Sequence, residues 1–225
     1  MEKRLDEADT ADSNRRKGEV QDFFYDDIDI TKTDMHPIPN LIVIAAFIVM
    51  GMGFIITLFG IFGKVGKEGG LWGNPSINPF LFYSGKITMY ICMGLSLLRA
   101  IFPAFGWIDV PLWMSWIGAC MLCLATVVLL LSFYGLGSSL RYGLPEKDTQ
   151  LKTSGLYRFS RHPLYLGVLL MTLSSVIFFP NILNILMGSY CIATHYLMIL
   201  GEEKFLAEKF GAEWEVYKKK VRRFL

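Results

Sequence analysis

The sequence predicts an all-α integral membrane protein: five transmembrane helices, the last two paired as a hairpin, then a basic amphipathic helix at the interface. Three observations predict it. Hydrophobic residues make up 53% of the 225-residue chain and its mean hydropathy is +0.41, above a typical soluble domain. These residues fall in long, nearly uncharged blocks of membrane-spanning length rather than in alternation. The remaining charge collects at the two termini and in one long internal segment. A net charge of +2 is too small to suggest nucleic acid as a partner.

Residues 1–36 form a polar tail with eleven acidic residues among six Lys or Arg. Disorder is the expectation there. The lack of an apolar run in this stretch argues against a cleavable signal peptide. The first span is read at 38–62, and a Gly/Asn/Pro-rich loop follows. The second, 80–105, carries Lys86 near its start and Arg99 nearer its end. Lys86 can snorkel to headgroups, whereas Arg99 should pair or face a cavity. The third span covers 112–134 without charge. The polar segment 135–163 follows, long enough to be expected to carry function.

The fourth span, 164–179, is short. Pro180-Asn181 breaks it, and the fifth, 182–200, begins at once, so the two should form an antiparallel hairpin. In the C-terminal helix, 201–225, Phe205, Leu206, Phe210, Trp214, Tyr217, Val221 and Phe224 recur at helical spacing, and Gly211 is a possible break. Five Lys or Arg crowd its end (Lys218, Lys219, Lys220, Arg222, Arg223), which suits an anionic membrane face. Cys92, Cys120, Cys123 and Cys191 lie inside apolar blocks and are read as small core residues. No metal site is expected, since Cys120-x-x-Cys123 lacks a second half. Lys and Arg placement puts the polar segment and the C-terminus on the cytoplasmic side.

The chemistry-bearing residues gather in two places. Between Gly155 and Gly167 lie Tyr157, Arg158, Arg161, His162, Pro163 and Tyr165; Glu202-Glu203 ends the fifth span. A hairpin brings these ends together. His195, Met198 and Glu202 share one face of the fifth helix. The pair of clusters reads either as a structural ion cluster or as a pocket for a ligand with both cationic and anionic groups.

The pattern Leu151-x-x-x-Gly155-x-Tyr157-x-x-x-Arg161-His162-Pro163-x-Tyr165-x-Gly167, then Glu202-Glu203-x-x-Leu206-x-x-x-Phe210-Gly211-x-x-Trp214-x-x-Tyr217, resembles the isoprenylcysteine carboxyl methyltransferase family. Phospholipid N-methyltransferases and small-thiol S-methyltransferases are its wider relatives. The resemblance implies S-adenosyl-L-methionine at the hairpin mouth, with Leu151, Gly155, Leu156, Tyr157, His162, Pro163, Tyr165 and Glu203 around it. Glu203 is expected to hold the cofactor ammonium. Glu202 would orient the acceptor or take its proton, with Arg161 beside it and His195 as a second candidate base. The acceptor implied is apolar or lipid-like: a prenylcysteine carboxylate, a phospholipid amine or a thiol. Met198 departs from the pattern, since the prenylcysteine enzymes usually have arginine there. A sterol-type reductase using NADPH shares part of the Arg-His-Pro-x-Tyr stretch, and a non-catalytic membrane scaffold is the third reading.

Overall fold

The computed structural model describes residues 37–65, 73–105, 108–137, 140, 143–144 and 150–224. The expected disordered tail lies outside the described residues. Among the described residues there are five α-helices: α1 (Pro37–Val65), α2 (Pro79–Ile101), α3 (Leu112–Leu136), α4 (Pro163–Phe178) and α5 (Ile182–Lys220). Short 3₁₀ turns occupy Pro103–Phe105 and Gly155–Arg158. Among the described residues there is no strand, only isolated bridges pairing Asn74 with Leu144 and Ser160 with Arg222.

Local chemistry sets the helix ends. Pro79 and Pro163 each sit in the first turn of their helix, where a missing N–H breaks no hydrogen bond. Asn78 and Asn181 cap α2 and α5 through their side-chain oxygens, accepting from the N–H of Phe80 at 2.9 Å and of Asn184 at 3.0 Å. Phe102 precedes a proline, which disfavours helical backbone there, and α2 stops at Ile101.

Four helices are long and apolar enough to cross a bilayer: Pro37–Thr57 within α1, then α2, α3 and α5. α4 is apolar but has 16 residues. Large apolar side chains such as Ile56, Phe59, Phe80, Trp113 and Leu186 point outward and are exposed, as a lipid solvent requires. Inside, Val43 and Ala46 of α1 and Ala100 of α2 meet Ala119, Leu122, Ala125 and Leu129 of α3. Val168, Met171 and Phe178 of α4 complete the core. The alanines at its centre let helix backbones approach closely, the main source of packing energy where lipid already solvates apolar surface.

A polar bolt ties the α4–α5 turn to α2. The Ser175 hydroxyl donates to the Cys92 carbonyl at 2.7 Å and accepts from Ser96 at 2.6 Å. The Asn184 amide donates to the carbonyls of Ser175 and Phe179 at 2.9 and 3.0 Å. Arg99, expected to need a partner, donates to the Pro103 carbonyl at 2.7 Å and feels the charge of Asp109.

The fifth span runs on into the C-terminal helix, and the backbone breaks at Gly211 (φ 49°), the position expected. From Ile182 to that kink the helix is about 43 Å long at 1.5 Å per residue, longer than a ~30 Å hydrocarbon slab, so residues beyond about 200 continue outside it. Two expectations need correction, the first in the C-terminal helix. Its apolar stripe does not lie free for a membrane surface. Trp214 and Tyr217 are buried, and the Tyr217 hydroxyl donates to the Tyr157 carbonyl at 2.7 Å, because the stripe finds protein in the segment before α4. The cysteines also divide. Cys92 and Cys191 are buried, but Cys120 and Cys123 are exposed on α3, a helix so uniformly apolar that composition does not mark its inner face.

Candidate active site

The segment before α4 is held in place largely by backbone. Gly155 (φ 62°) opens the 3₁₀ turn in left-handed conformation, which only glycine adopts freely. The Leu156 carbonyl accepts the N–H groups of Phe159 and Ser160 at 3.0 and 3.1 Å. The last residues of the chain then strap the next three. Arg161 N–H donates to the Arg222 carbonyl at 2.9 Å, and the Ser160 hydroxyl donates to the Arg223 carbonyl at 3.1 Å. His162 N–H donates to the Ser160 hydroxyl at 3.2 Å.

This arrangement points Arg161 and His162 at the twin acids of α5. Glu203 is enclosed by two guanidinium groups and an imidazole. Arg223 binds both its oxygens, at 3.1 Å to Oε1 and 2.7 Å to Oε2, a bidentate pairing. Arg161 Nη2 is 3.2 Å and His162 Nε2 3.3 Å from Oε1. Burial alone would raise the Glu203 pKa. The hydrogen bonds from His162 and Arg223 and the Arg161 charge outweigh it and hold the carboxyl at about 2. Glu202 is more open, with His162 Nδ1 3.9 Å from its Oε2. His162 thus stands between the two acids.

A cleft of about 530 Å³ opens beside them, within the range of small-molecule sites. Leu151, Tyr157, Arg161, His162, Tyr165, His195 and Glu202 line it. Gly155, Leu156, Pro163 and Glu203 are not on its wall: the first two shape the turn, Pro163 starts α4, and Glu203 is tied up behind. The mouth is polar, with Gln150, Lys152 and Arg161. Toward mid-membrane the lining becomes apolar, with Phe47 and Met50 of α1, Met89 and Met93 of α2, and Phe133 of α3.

Three features bear on chemistry. Arg161 is buried and lies 5.6 Å from the Trp214 ring, yet its Nε and Nη1 have no partner among the described residues. His195 Nδ1 lies 2.8 Å from the Cys191 carbonyl; a carbonyl only accepts, so Nδ1 carries the proton and Nε2 is the ring's acceptor. Burial pushes the Tyr157 phenol well above its ordinary pKa, so it remains a neutral hydrogen-bonding group.

Sequence reasoning missed several wall residues. Lys86 lines the cleft although it was expected to snorkel, and Phe205, Leu206, Trp214 and Tyr217 line it although their stripe was assigned to a membrane surface. Arg223 carried no signal setting it apart from the other cations in its run. Met198 is fully buried.

Residues 113–213 match the model of the phospholipid methyltransferase family. The protein-S-isoprenylcysteine O-methyltransferase of Schizosaccharomyces pombe is 34% identical over 77 residues, 34% of this chain and 33% of the relative. That of Dictyostelium discoideum is 28% identical over 110 residues, 47% and 46% of the two chains. That of Saccharomyces cerevisiae is 35% identical over 77 residues, 34% and 32%. The chain thus matches between about a third and a half of the length of each relative. Over residues 113–213, which carry nearly all of α3, all of α4 and most of α5, the chain is similar to the phospholipid methyltransferase family, and over 77 to 110 residues it is similar to protein-S-isoprenylcysteine O-methyltransferases.

Proposed function

We propose that residues 37–225 form a membrane methyltransferase that moves a methyl group from S-adenosyl-L-methionine to a lipid-like acceptor. An S-isoprenylcysteine carboxylate is the acceptor that the relatives' names point to. The observation that carries this reading is the Arg161 guanidinium, buried at the cleft wall with two nitrogens unpaired. A buried cation with spare donors is costly unless a ligand anion meets it, and the cofactor has a carboxylate to offer. The remaining lining fits the same molecule. Glu202 suits its ammonium and sulfonium charge, and Leu151, Phe205, Leu206 and Trp214 offer apolar and aromatic walls for its base.

Glu202 and Glu203 therefore take different parts from those expected at first. Glu203 acts as a buckle that fixes Arg161 and His162, and Glu202 faces the ligand. When bound, S-adenosylmethionine supplies an electrophilic methyl carbon whose bond to sulfur breaks as the acceptor attacks in line. The protein's task is to align the two reactants and keep water away. A carboxylate acceptor needs no base. For an amine or thiol, Glu202 or the Nε2 of His195 would take the proton.

The same reading places five crossings in the membrane, with α4 and α5 as a hairpin and the cleft mouth on the cytoplasmic side. The basic residues Lys64, Lys67, Lys152, Arg158 and Arg161 support that side, since the turns after α2 and α4 carry no Lys or Arg.

Thermal unfolding of the detergent-purified protein tests the proposal, because a ligand that binds only the folded state raises the melting temperature. S-adenosylmethionine should stabilise and NADPH should not. Glu202→Gln should weaken the cofactor effect at least tenfold in concentration. Labelled-methyl transfer to S-farnesylcysteine, phosphatidylethanolamine and a small thiol then identifies the acceptor. Stabilisation by NADPH alone would overturn the methyltransferase reading in favour of a reductase, and stabilisation by neither would favour a scaffold.

A further inference from the structure

The cations at the end of the chain lie beside the point where α4 begins. Arg161 N–H donates to the Arg222 carbonyl at 2.9 Å, and Ser160 pairs with Arg222 in a parallel bridge. Arg161 stands two residues before Pro163, the first residue of α4, and two extended residues cover about 7 Å. The Arg222 backbone is thus held about one side-chain length from the start of an apolar helix. Its side chain is exposed, and so are Arg158 and Phe159 on the paired segment. Phe159 is 65% exposed, although Ser160 next to it is buried. An aromatic ring turned outward among arginines, at the entry of an apolar helix, suits the headgroup layer of a bilayer. Lys219 and Lys220 end α5 within three residues of Arg222, and both are exposed. Lys218 has Glu215 at 3.7 Å, but no carboxylate pairs with Lys219, Lys220 or the Arg222 side chain among the described residues.

The same stretch of chain holds the site. The carbonyls of Arg222 and Arg223 fix Arg161 and Ser160, and the Arg223 guanidinium fixes Glu203. Whatever settles this stretch also settles the groups around the cleft mouth. An anionic phospholipid offers what the edge lacks: negative charge for Lys219, Lys220 and Arg222, and an apolar boundary for Phe159. Each Lys or Arg held at an anionic membrane surface strengthens binding about fivefold. We infer that Lys219, Lys220 and Arg222, beside Phe159, form a docking surface for anionic phospholipid of the leaflet at the cleft mouth, and that lipid docked there tightens the cofactor site. This contact differs from the one expected of the apolar stripe, since Trp214 and Tyr217 stay in protein and only the cationic edge and Phe159 meet lipid. Docking stands independently of the methyltransferase reading, whereas its effect on the cofactor rests on that reading.

The test places the purified full chain in nanodiscs of phosphatidylcholine alone or of phosphatidylcholine mixed with phosphatidylserine. Melting temperature and affinity for S-adenosylhomocysteine are read in each. That ligand has no net charge, so accumulation at a charged surface does not favour it. In the anionic discs the wild-type chain should melt higher and bind S-adenosylhomocysteine about fivefold tighter, and both gains should shrink as salt is raised. Lys219→Gln/Lys220→Gln should lose most of both gains while binding S-adenosylhomocysteine in phosphatidylcholine like the wild type. Lys219→Arg/Lys220→Arg should keep them, and adding Arg222→Gln to the glutamine pair should remove what is left. A wild type that melts and binds alike in both discs would overturn the inference. So would gains that survive all three glutamines. A triple variant that loses stability equally in both discs would give these cations to a carboxylate of the protein, and would overturn it too. If the triple variant does not fold, the double variant and the salt series still decide. Higher melting in anionic discs without S-adenosylhomocysteine binding in either would sink the methyltransferase reading and leave the docking surface standing. Higher melting with a lipid-independent affinity would sink the coupling alone.

Discussion

Glu202 and Glu203 are adjacent in sequence and 100° apart on the helix, and that rotation separates their chemistry. Glu203 turns toward Arg161, His162 and Arg223, and Glu202 turns toward the cleft. The sequence reading gave Glu203 the cofactor ammonium and Glu202 the acceptor; it had no sight of Arg223, which lies twenty residues from Glu203 beyond a kink. A prediction follows at this scale. The Glu203 carboxyl is held at about 2, below its ordinary range of about 4.3 in an unfolded chain. Its contribution to stability is therefore complete above about pH 4.3 and is lost as pH falls toward 2. Glu203→Gln should lower the melting temperature at pH 7 and flatten the decline between pH 4.5 and 2, which thermal scans across pH would reveal. An unchanged profile would remove Glu203 from its place as the buckle.

The C-terminal strap holds the mouth of the cleft in register, and the α4–α5 turn closes the opposite end of the hairpin and ties it to α2. Residues 221–224 contribute two carbonyls to Ser160 and Arg161 and one guanidinium to Glu203. Arg223→Ala should cost about 1–2 kcal/mol of stability, less than a fully buried pair because the arginine is partly exposed. It should weaken cofactor binding more than Lys219→Ala does; equal effects in a melting-shift titration would reduce the strap to ordinary surface charge. At the other end of the hairpin, Asn184→Ala removes the amide that bridges the Ser175 and Phe179 carbonyls and leaves each with its backbone donor alone. A loss of about 1–2 kcal/mol is expected, with cofactor affinity unchanged, because the site lies at the far end of α4. Denaturant or thermal unfolding beside a cofactor titration checks both halves. These elements were partly legible. Pro163, Asn181 and the Pro180-Asn181 break announce the hairpin's boundaries through local backbone chemistry. The strap was not legible, since its run of cations looks the same whether it meets phosphate headgroups or a carboxylate of the same chain.

For the whole molecule, the number of crossings turns on α4. Its 16 residues span about 24 Å, short of a ~30 Å slab. Bolted to α2 and α5 by Ser175 and Asn184, it can still reach the far side if the bilayer thins or its polar ends sit at the interface. In a cysteine-free background, Asp148→Cys and Ile182→Cys should react with an impermeant maleimide from opposite sides. Labelling from the same side would place the α4–α5 turn at the cytoplasmic face and reduce the count to three crossings, because Glu203 on α5 meets His162 at the start of α4 and neither limb would then cross.

By itself the sequence determined the solvent, the boundaries and the chemistry on offer. Block hydropathy dictates lipid, proline and asparagine dictate where helices begin, and the Arg-His-Pro-x-Tyr and Glu-Glu runs dictate which charges are available. These are local properties, carried by neighbouring residues. Only the tertiary structure decided which charges are consumed by the fold and which remain for a ligand. Glu203 is spent on Arg223, and Arg161 keeps two nitrogens without a partner among the described residues. Pairing inside a low-dielectric interior depends on distances between segments far apart in the chain, and no pattern of neighbours encodes those distances.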